Sequence, residues 1–294
     1  MWWAILSVAA SFCWALANVN DKFILSHWVK KPIVNVLAVG LTSLLASVVV
    51  YFTQPLGALT WFQLAVAIVA GTAYIATNLL YFEAVKREEI SRVVPVLYLY
   101  PLFVAGLAAF FLGEVFLPAK YVGVFLLVAG AILVAKKKRF RLKSKKAIAF
   151  AVLAAMASAV DVVSVKYLLG YADYWTVFFY ASLGGLPLLL PLLVWHGHKL
   201  ARTVRTRGAK IVVGLGASNA LNTLATLLFI AATSSGYATL TSALGSVQPL
   251  FTLLLGVGLA RLWPGAIREN LDHSILRQKF LAVCLVIAGV VLIT

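Results

Sequence analysis

The feature that most constrains this chain is a succession of ten apolar runs, near 2–20, 32–52, 61–82, 92–112, 119–135, 147–168, 174–195, 210–232, 236–258 and 280–294. About 20 apolar residues are what an α-helix needs to cross the hydrocarbon core of a bilayer. Inside that core no water satisfies the backbone N–H and C=O groups, so a spanning segment must close its hydrogen bonds internally, and runs without strict alternation read as helices. The stretches left over, a linker at 136–146 and connections at 196–209 and 259–279, are too short for a soluble domain. The predicted fold class is therefore an all-α integral membrane protein with ten transmembrane helices. Composition agrees: 63% hydrophobic against 12% charged residues, with a mean hydropathy of +0.99, is more apolar surface than a water-facing domain can hide.

A formal charge of +16 would suit a nucleic-acid binder. The cations instead lie in the short gaps between apolar runs, so no nucleic-acid partner is expected and the acidic partners are membrane lipid headgroups. Sorted by alternate connections, 23 of the 25 Lys and Arg fall on one side, including Lys22, Lys86, Arg87, Lys199 and the basic run KKKRFRLKSKK at 136–146. Only Lys120 and Lys166 fall on the other. The positive-inside rule then predicts a multi-pass protein of the cell (inner) membrane with its basic connections in the cytoplasm and both termini outside. Cys13 and Cys284 both sit in apolar runs, which argues against a disulfide framework or a thiolate metal site, and no metal or other cofactor is expected.

Pro101-Leu102-Phe103 in the fourth run recurs as Pro249-Leu250-Phe251 in the ninth, and LVAGAILVA at 127–135 is echoed by VIAGVVLIT at 286–294. The first and sixth runs each end near a lysine, Lys22 and Lys166. With five spans per copy, an odd number, the second copy must enter the membrane from the opposite side, so the repeats are inverted. The chain resembles the EamA-type transporters of the drug/metabolite transporter superfamily, a resemblance carried by SFCWALANVNDKFIL at 11–25, EEISRVVPVLYLYPLF at 88–103, FFLGE at 110–114 and YVGVFLLVAGAILVA at 121–135. It implies two inverted five-helix repeats: an EamA-like repeat over 1–135, a basic linker over 136–146 and a second EamA-like repeat over 147–294. Gly113-Glu114 has no counterpart after Pro249, where the second half carries an insertion, and members of the family usually keep both termini in the cytoplasm, opposite to the lysine count.

In such a fold a solute site lies near the bilayer midplane, where polar side chains are costly unless they face partners or water. Tyr74, Asn78 and Tyr81 share one face of the third run at i, i+4 and i+7, and Asn219, Asn222 and Thr226 do the same in the eighth. Trp14 and Asn18 share a face of the first run. Tyr98 and Tyr100 stand just before Pro101 as Ser246 and Gln248 stand just before Pro249. All twelve are candidate substrate-binding residues, the competing reading being that Asn and Thr merely bond adjacent helices. Asp161, deep in the sixth run with Ser158 and Ser164 on its face, is a candidate for proton coupling. Its competing role is an ion pair with Lys166, about 7.5 Å further along the axis. Asp21 and Lys22, near the end of the first run, read as solvated caps. Gly123 and Gly130 match Ala282 and Gly289 at the same spacing and read as close helix packing, within a monomer or in a homodimer.

These features predict a secondary transporter that exports a small organic metabolite, an amino acid or similar polar solute, by alternating access. The alternative is a translocator of a lipid or lipid-linked sugar. An enzyme is not expected, because Asp161 has no intramembrane acid or histidine to work with and the histidines fall at the ends of spans. No Walker-type GxxxxGK[ST] motif is present, so the driving force is a gradient.

Overall fold

In a computed structural model the described residues are 2–27, 33–88, 90–135, 144–262 and 273–294. They form thirteen helices: α1 (Trp2–His27), α2 (Ile33–Thr53), α3 (Trp61–Val85), α4 (Ile90–Leu97), α5 (Tyr100–Leu112), α6 (Pro118–Ala135), α7 (Lys145–Leu168), α8 (Tyr174–Gly184), α9 (Leu186–Arg207), α10 (Ala209–Ser235), α11 (Ala238–Gly245), α12 (Gln248–Leu262) and α13 (His273–Ile293). Among the described residues there is no strand. Eight stretches are long and apolar enough to span a bilayer, and α8 with α9, bent by 42° at Gly184-Gly185, makes a ninth. The last apolar stretch, Phe280–Ile293, falls below that length, so length and composition match nine of the ten expected spans.

The helix ends follow from local chemistry. Thr60 and Gln63 form a reciprocal capping box at the start of α3, with Gln63 Oε1 accepting from Thr60 N at 2.9 Å. Asp173 caps α8, accepting from Trp175 N at 2.9 Å, Thr176 N at 3.2 Å and Thr176 Oγ1 at 2.6 Å. Burial alone would raise this carboxyl, but those hydrogen bonds outweigh it and hold Asp173 below the ordinary carboxylate range. α5 stops at Gly113, whose φ of +66° is a left-handed C-cap that glycine adopts without a Cβ clash.

One expected connection is helix instead. The chain over 196–209 continues α9 to Arg207 because Leu200 and Val204, one turn apart, pack on Val34, Ala38, Ile211 and Leu215, while Arg202 and Arg205 stay exposed. The linker residues 136–143 and the insertion residues 263–272 lie outside the described residues, as do the side chains of 22–27.

The most extensive helix contacts, α1 with α10, α3 with α7 and α6 with α13, each join the first half of the chain to the second. Glycine makes the tightest of these approaches possible. A Cβ on Gly123 would meet Gly289 O at 3.1 Å and one on Gly289 would meet Gly123 O at 2.9 Å, so the small-residue faces of α6 and α13 pack on each other within one chain. α3 crosses α8 still more closely: a Cβ on Gly71 would lie 2.0 Å from Ala181 O.

The connections gather at two ends. Gly57 N donates to Thr176 Oγ1 at 2.9 Å, and Glu114 reaches Ala238 and Thr239, which places these turns at one end. At the other end Ser144 N donates to Glu88 Oε2 at 3.2 Å, Gln278 Nε2 donates to Leu133 O at 2.7 Å, and Arg87 lies 4.7 Å above the Phe150 ring. Lys86, Arg87, Lys145, Lys146, Lys199 and the arginines of α9 sit at this second, cation-rich end. Exposed Phe52, Phe110, Phe125 and Val194 on the flanks of the bundle form the surface that lipid would cover.

Candidate functional site

Two of the long apolar runs are broken inside the bundle, each just before its proline. Pro101 cannot donate to Leu97 O, nor Pro249 to Gly245 O, and the chain tightens there into i→i−3 turns. Leu99 N donates to Val96 O and Leu102 N to Leu99 O, while Val247 N donates to Leu244 O and Leu250 N to Val247 O, all within 3.2 Å. The carbonyls loosened at the second break are met by Ser11 Oγ of α1, 3.2 Å from Leu244 O and 3.4 Å from Gly245 O. The breaks hold Tyr98, Tyr100, Ser246 and Gln248 against the interior. Tyr100 uses its hydroxyl across the halves, donating to Ser242 O at 2.8 Å.

α3, α7 and α10 bring a second set together. The Tyr74 hydroxyl lies against the Thr226 hydroxyl and within electrostatic reach of Asp161, and Thr226 Oγ1 in turn donates to Asn222 O at 2.9 Å. Further along α3, Tyr81 stands near Asp21, and Tyr98 stands near both Tyr81 and Tyr100. Asp161, Tyr74, Tyr98 and Tyr100 lie within the bundle, and each keeps some accessible surface.

Lys166 does not pair with Asp161. Its Nζ donates to Thr233 O at 2.8 Å and Gly236 O at 2.6 Å, the terminal carbonyls of α10, where a cation complements the helix dipole. Asp161 has no hydrogen bond or ion pair among the described residues. Asp21 is not a solvated cap either: it is half-buried, accepts a short hydrogen bond from Ser218 Oγ and is reached by the Asn35 side chain. Next to it Asn20 Nδ2 donates to Gly214 O at 3.1 Å, so this end of α1 is fastened to α10.

The remaining candidates divide. Asn219 is 2% exposed with neither amide atom partnered, and Ser246 Oγ is fully buried and also unpartnered. Such orphans are rare, because each costs the desolvation of a polar group. Asn222 and Gln248 are half-buried. Asn78 Nδ2 donates back to Tyr74 O at 3.0 Å, Trp14 packs on Phe229 with ring centroids 5.5 Å apart, and Asn18 is exposed. Asp21, Asn35 and Ser218 were not among the candidates. Asn35 in the middle of IVNVLAVG was the available signal, a lone amide in an apolar run.

The cation-poor end is fastened by a buried carboxylate. Glu114, 5% exposed, accepts from Ala238 N at 2.7 Å, Thr239 N at 3.0 Å and Thr239 Oγ1 at 2.9 Å, a carboxylate seated on the N-terminus of α11. Lys166 holds the C-terminus of α10 beside it and feels the Glu114 charge. Together they clamp the turn Ser235–Tyr237, and α11 is buried along its whole length. A cavity of about 660 Å³ reaches this clamp, lined by Phe111, Tyr167, Tyr171 and Tyr237 together with Glu114 and Lys166. Among the described residues no group of His, Cys, Asp and Glu could hold a metal ion.

The family model described as EamA-like transporter family matches the chain over residues 1–136 and 145–294. The chain belongs to the EamA-like transporter family. It is thus a multi-pass membrane transporter of the drug/metabolite transporter superfamily, and Glu114 of its FFLGE motif is the side chain that caps α11. A solved crystal structure of a protein is similar to it with a TM-score of 0.72 and 16% identity, over 99% of this chain and 96% of that one, a likeness that speaks for the fold alone. No curated protein matches the chain.

Proposed function

We propose that this EamA-like transporter is a secondary transporter of ten spans in two inverted five-helix repeats, exporting a small organic metabolite, an amino acid or similar polar solute, by alternating access. The observation that carries the reading is the interior itself: Asp161, with no hydrogen bond or ion pair among the described residues, and the tyrosines near it keep accessible surface inside a bundle whose flanks are apolar. A bilayer protein keeps such groups where a solute or ion will meet them. The contact pattern supports the inverted repeat, since exchanging the halves turns the pairing of α1 with α10 into that of α7 with α3 and leaves α6 with α13 unchanged. Asp161 is the proposed coupling group. The closed clamp at the cation-poor end fits a state in which solute enters from the cation-rich side, taken as cytoplasmic.

The test is transport by the purified protein in liposomes. Loaded with unlabelled metabolite, they should accumulate labelled metabolite from outside by exchange, for at least one class among amino acids, nucleosides, sugar phosphates and amines. Absence of exchange for every class, by monodisperse protein, would refute the reading. Orientation is read from Ser144→Cys with Cys13 and Cys284 replaced: an impermeant thiol reagent should leave it unlabelled in intact cells, and labelling from outside would reverse the assignment.

A further inference from the structure

We propose that the cavity at the cation-poor end is a binding site for a membrane phospholipid, with Lys166 receiving the phosphate and an exposed face of α5 carrying an acyl chain. Lys166 lines the cavity and is half-buried. Two of the three N–H groups of its ammonium are spent on Thr233 O and Gly236 O, and among the described residues no partner takes the third. The hydroxyl of Tyr237, in the same lining, likewise has no hydrogen bond among the described residues. Glu114 brings a negative charge to this wall, but it is 5% exposed and its two oxygens already accept three hydrogen bonds. The charged group with capacity left is therefore a donor, and the ligand that matches it is an oxyanion such as a phosphate.

The surroundings of the cavity point to a lipid as the bearer of that phosphate. A volume of about 660 Å³ is what an organic ligand occupies, far more than a lone anion needs. Exposed aromatic side chains gather around it: Phe62 meets Tyr167, Tyr167 meets Tyr171, and Phe116 meets both Tyr121 and Tyr237, with ring centroids 5.0 to 6.0 Å apart. Tyrosines collect at the depth of the lipid headgroups, so the cavity lies at that level. Phe111 is at once a wall of the cavity and 65% exposed, with Phe110 edge-on to it at 4.8 Å. From Phe110 an exposed apolar stripe runs back through Gly106 to Leu102 on one face of α5, a track about 12 Å long that leads from the cavity toward the middle of the bundle. A soluble phosphate compound has no use for such a track. A phospholipid uses both parts, and its phosphate adds a partner to the lysine that holds the end of α10.

The experiment uses the full-length protein in dodecyl maltoside, a detergent without phosphate, and reads the rate at which N-ethylmaleimide labels Ser235→Cys on a background without Cys13 and Cys284. Ser235 is exposed and lines the cavity. The probes are dioleoylphosphatidylglycerol, dioleoylglycerol, which has the same chains and no phosphate, and glycerol 3-phosphate, which has the phosphate and no chains. The phospholipid should slow labelling with a half-protecting concentration about tenfold or more below that of dioleoylglycerol, the size of one charge-assisted contact. Glycerol 3-phosphate should not protect. Ala58→Cys, exposed at the same end and outside the cavity, should label at one rate throughout. Lys166→Met should remove the preference for phosphate and Lys166→Arg should keep it. Phe111→Ala, whose side chain takes no part in the clamp, should weaken protection by both lipids. Melting without lipid shows that each variant is folded. Equal protection by the two lipids, protection by glycerol 3-phosphate as strong as by the phospholipid, no protection by either lipid, or an undiminished phosphate preference in folded Lys166→Met would overturn the proposal.

Discussion

Removing Glu114 should unfasten the cation-poor end of the bundle, and the cost can be worked from its contacts. Glu114→Ala leaves Ala238 N, Thr239 N and the Thr239 hydroxyl without their acceptor inside a buried junction. A buried donor that loses its partner costs about 1–3 kcal/mol, and the carboxylate's attraction to the N-terminus of α11 contributes about 1 kcal/mol more. The sum for two backbone donors is about 4 kcal/mol, which corresponds to a fall in Tm on the order of 10 °C. Glu114→Gln keeps one acceptor oxygen but turns an amide N–H₂ toward a backbone N–H, so it should lose roughly half as much. Lys166→Met should lose less than either, because the carbonyls of Thr233 and Gly236 have weaker claims on a donor than buried N–H groups on an acceptor. The assay is thermal unfolding of purified variants, joined to thiol labelling of Ser242→Cys on a background without Cys13 and Cys284. Ser242 is buried in α11 and should be unreactive in the parent and reactive in Glu114→Ala. A Tm within about 2 °C of the parent together with an unreactive Ser242→Cys would refute the clamp.

Asp161→Asn should abolish gradient-driven accumulation in liposomes while exchange persists, with Tm changed by less than the equivalent of about 1 kcal/mol because no partner is lost; a large loss of stability would return Asp161 to a structural role. Gly71→Ala should prevent folded protein from accumulating, since its Cβ would lie 2.0 Å from Ala181 O, whereas Gly106→Ala meets nothing within 4 Å and should hold or raise Tm by the helix preference of alanine, about 1 kcal/mol. Asp173 supplies a pH test. Its carboxyl is held below the ordinary range in the folded protein, so its share of stability is present above a pH of about 4 and is lost as pH falls through the folded pKa. Asp173→Ala should therefore lower Tm at neutral pH by the equivalent of about 1 kcal/mol, the worth of an N-cap, and the gap should close in acid. An equal gap at both pH values would count against the cap.

Much of the fold was legible because a bilayer leaves the sequence few choices. The described parts of the apolar runs are helical apart from short turns, and Pro101 and Pro249 mark two of the breaks inside them, the other falling at Gly184-Gly185, since a missing N–H is a local fact that tertiary packing does not repair. What the sequence hid were pairings across distance. Lys166 sits five residues from Asp161, and only the packing of α7 against the end of α10 reveals that its partners are Thr233 O and Gly236 O. Asp21 looked like an exposed cap because it ends an apolar run, but α10 brings Ser218 over it and α2 brings Asn35. Glu114 carried a signal in its motif without a role, which came from a helix that starts more than a hundred residues later.

The two kinds of acid in this chain separate fastening from function. Glu114 is spent: three donors and a helix N-terminus satisfy it, and its charge is balanced by Lys166 nearby. Asp161, on the same α7 that supplies Lys166, keeps accessible surface, and among the described residues nothing donates to it. A carboxylate costs several kcal/mol to bring out of water, so a group left in this state is tolerated only where water, a proton or a cation completes it. If the clamp at Glu114 opens during transport, Lys166 and the end of α10 move with it, and α7 carries that displacement to Asp161 about 7.5 Å away along the same helix. The element that closes the cation-poor end is thus the one that carries Asp161, and Lys166→Met should alter gradient-driven accumulation in liposomes although Lys166 makes no contact with Asp161.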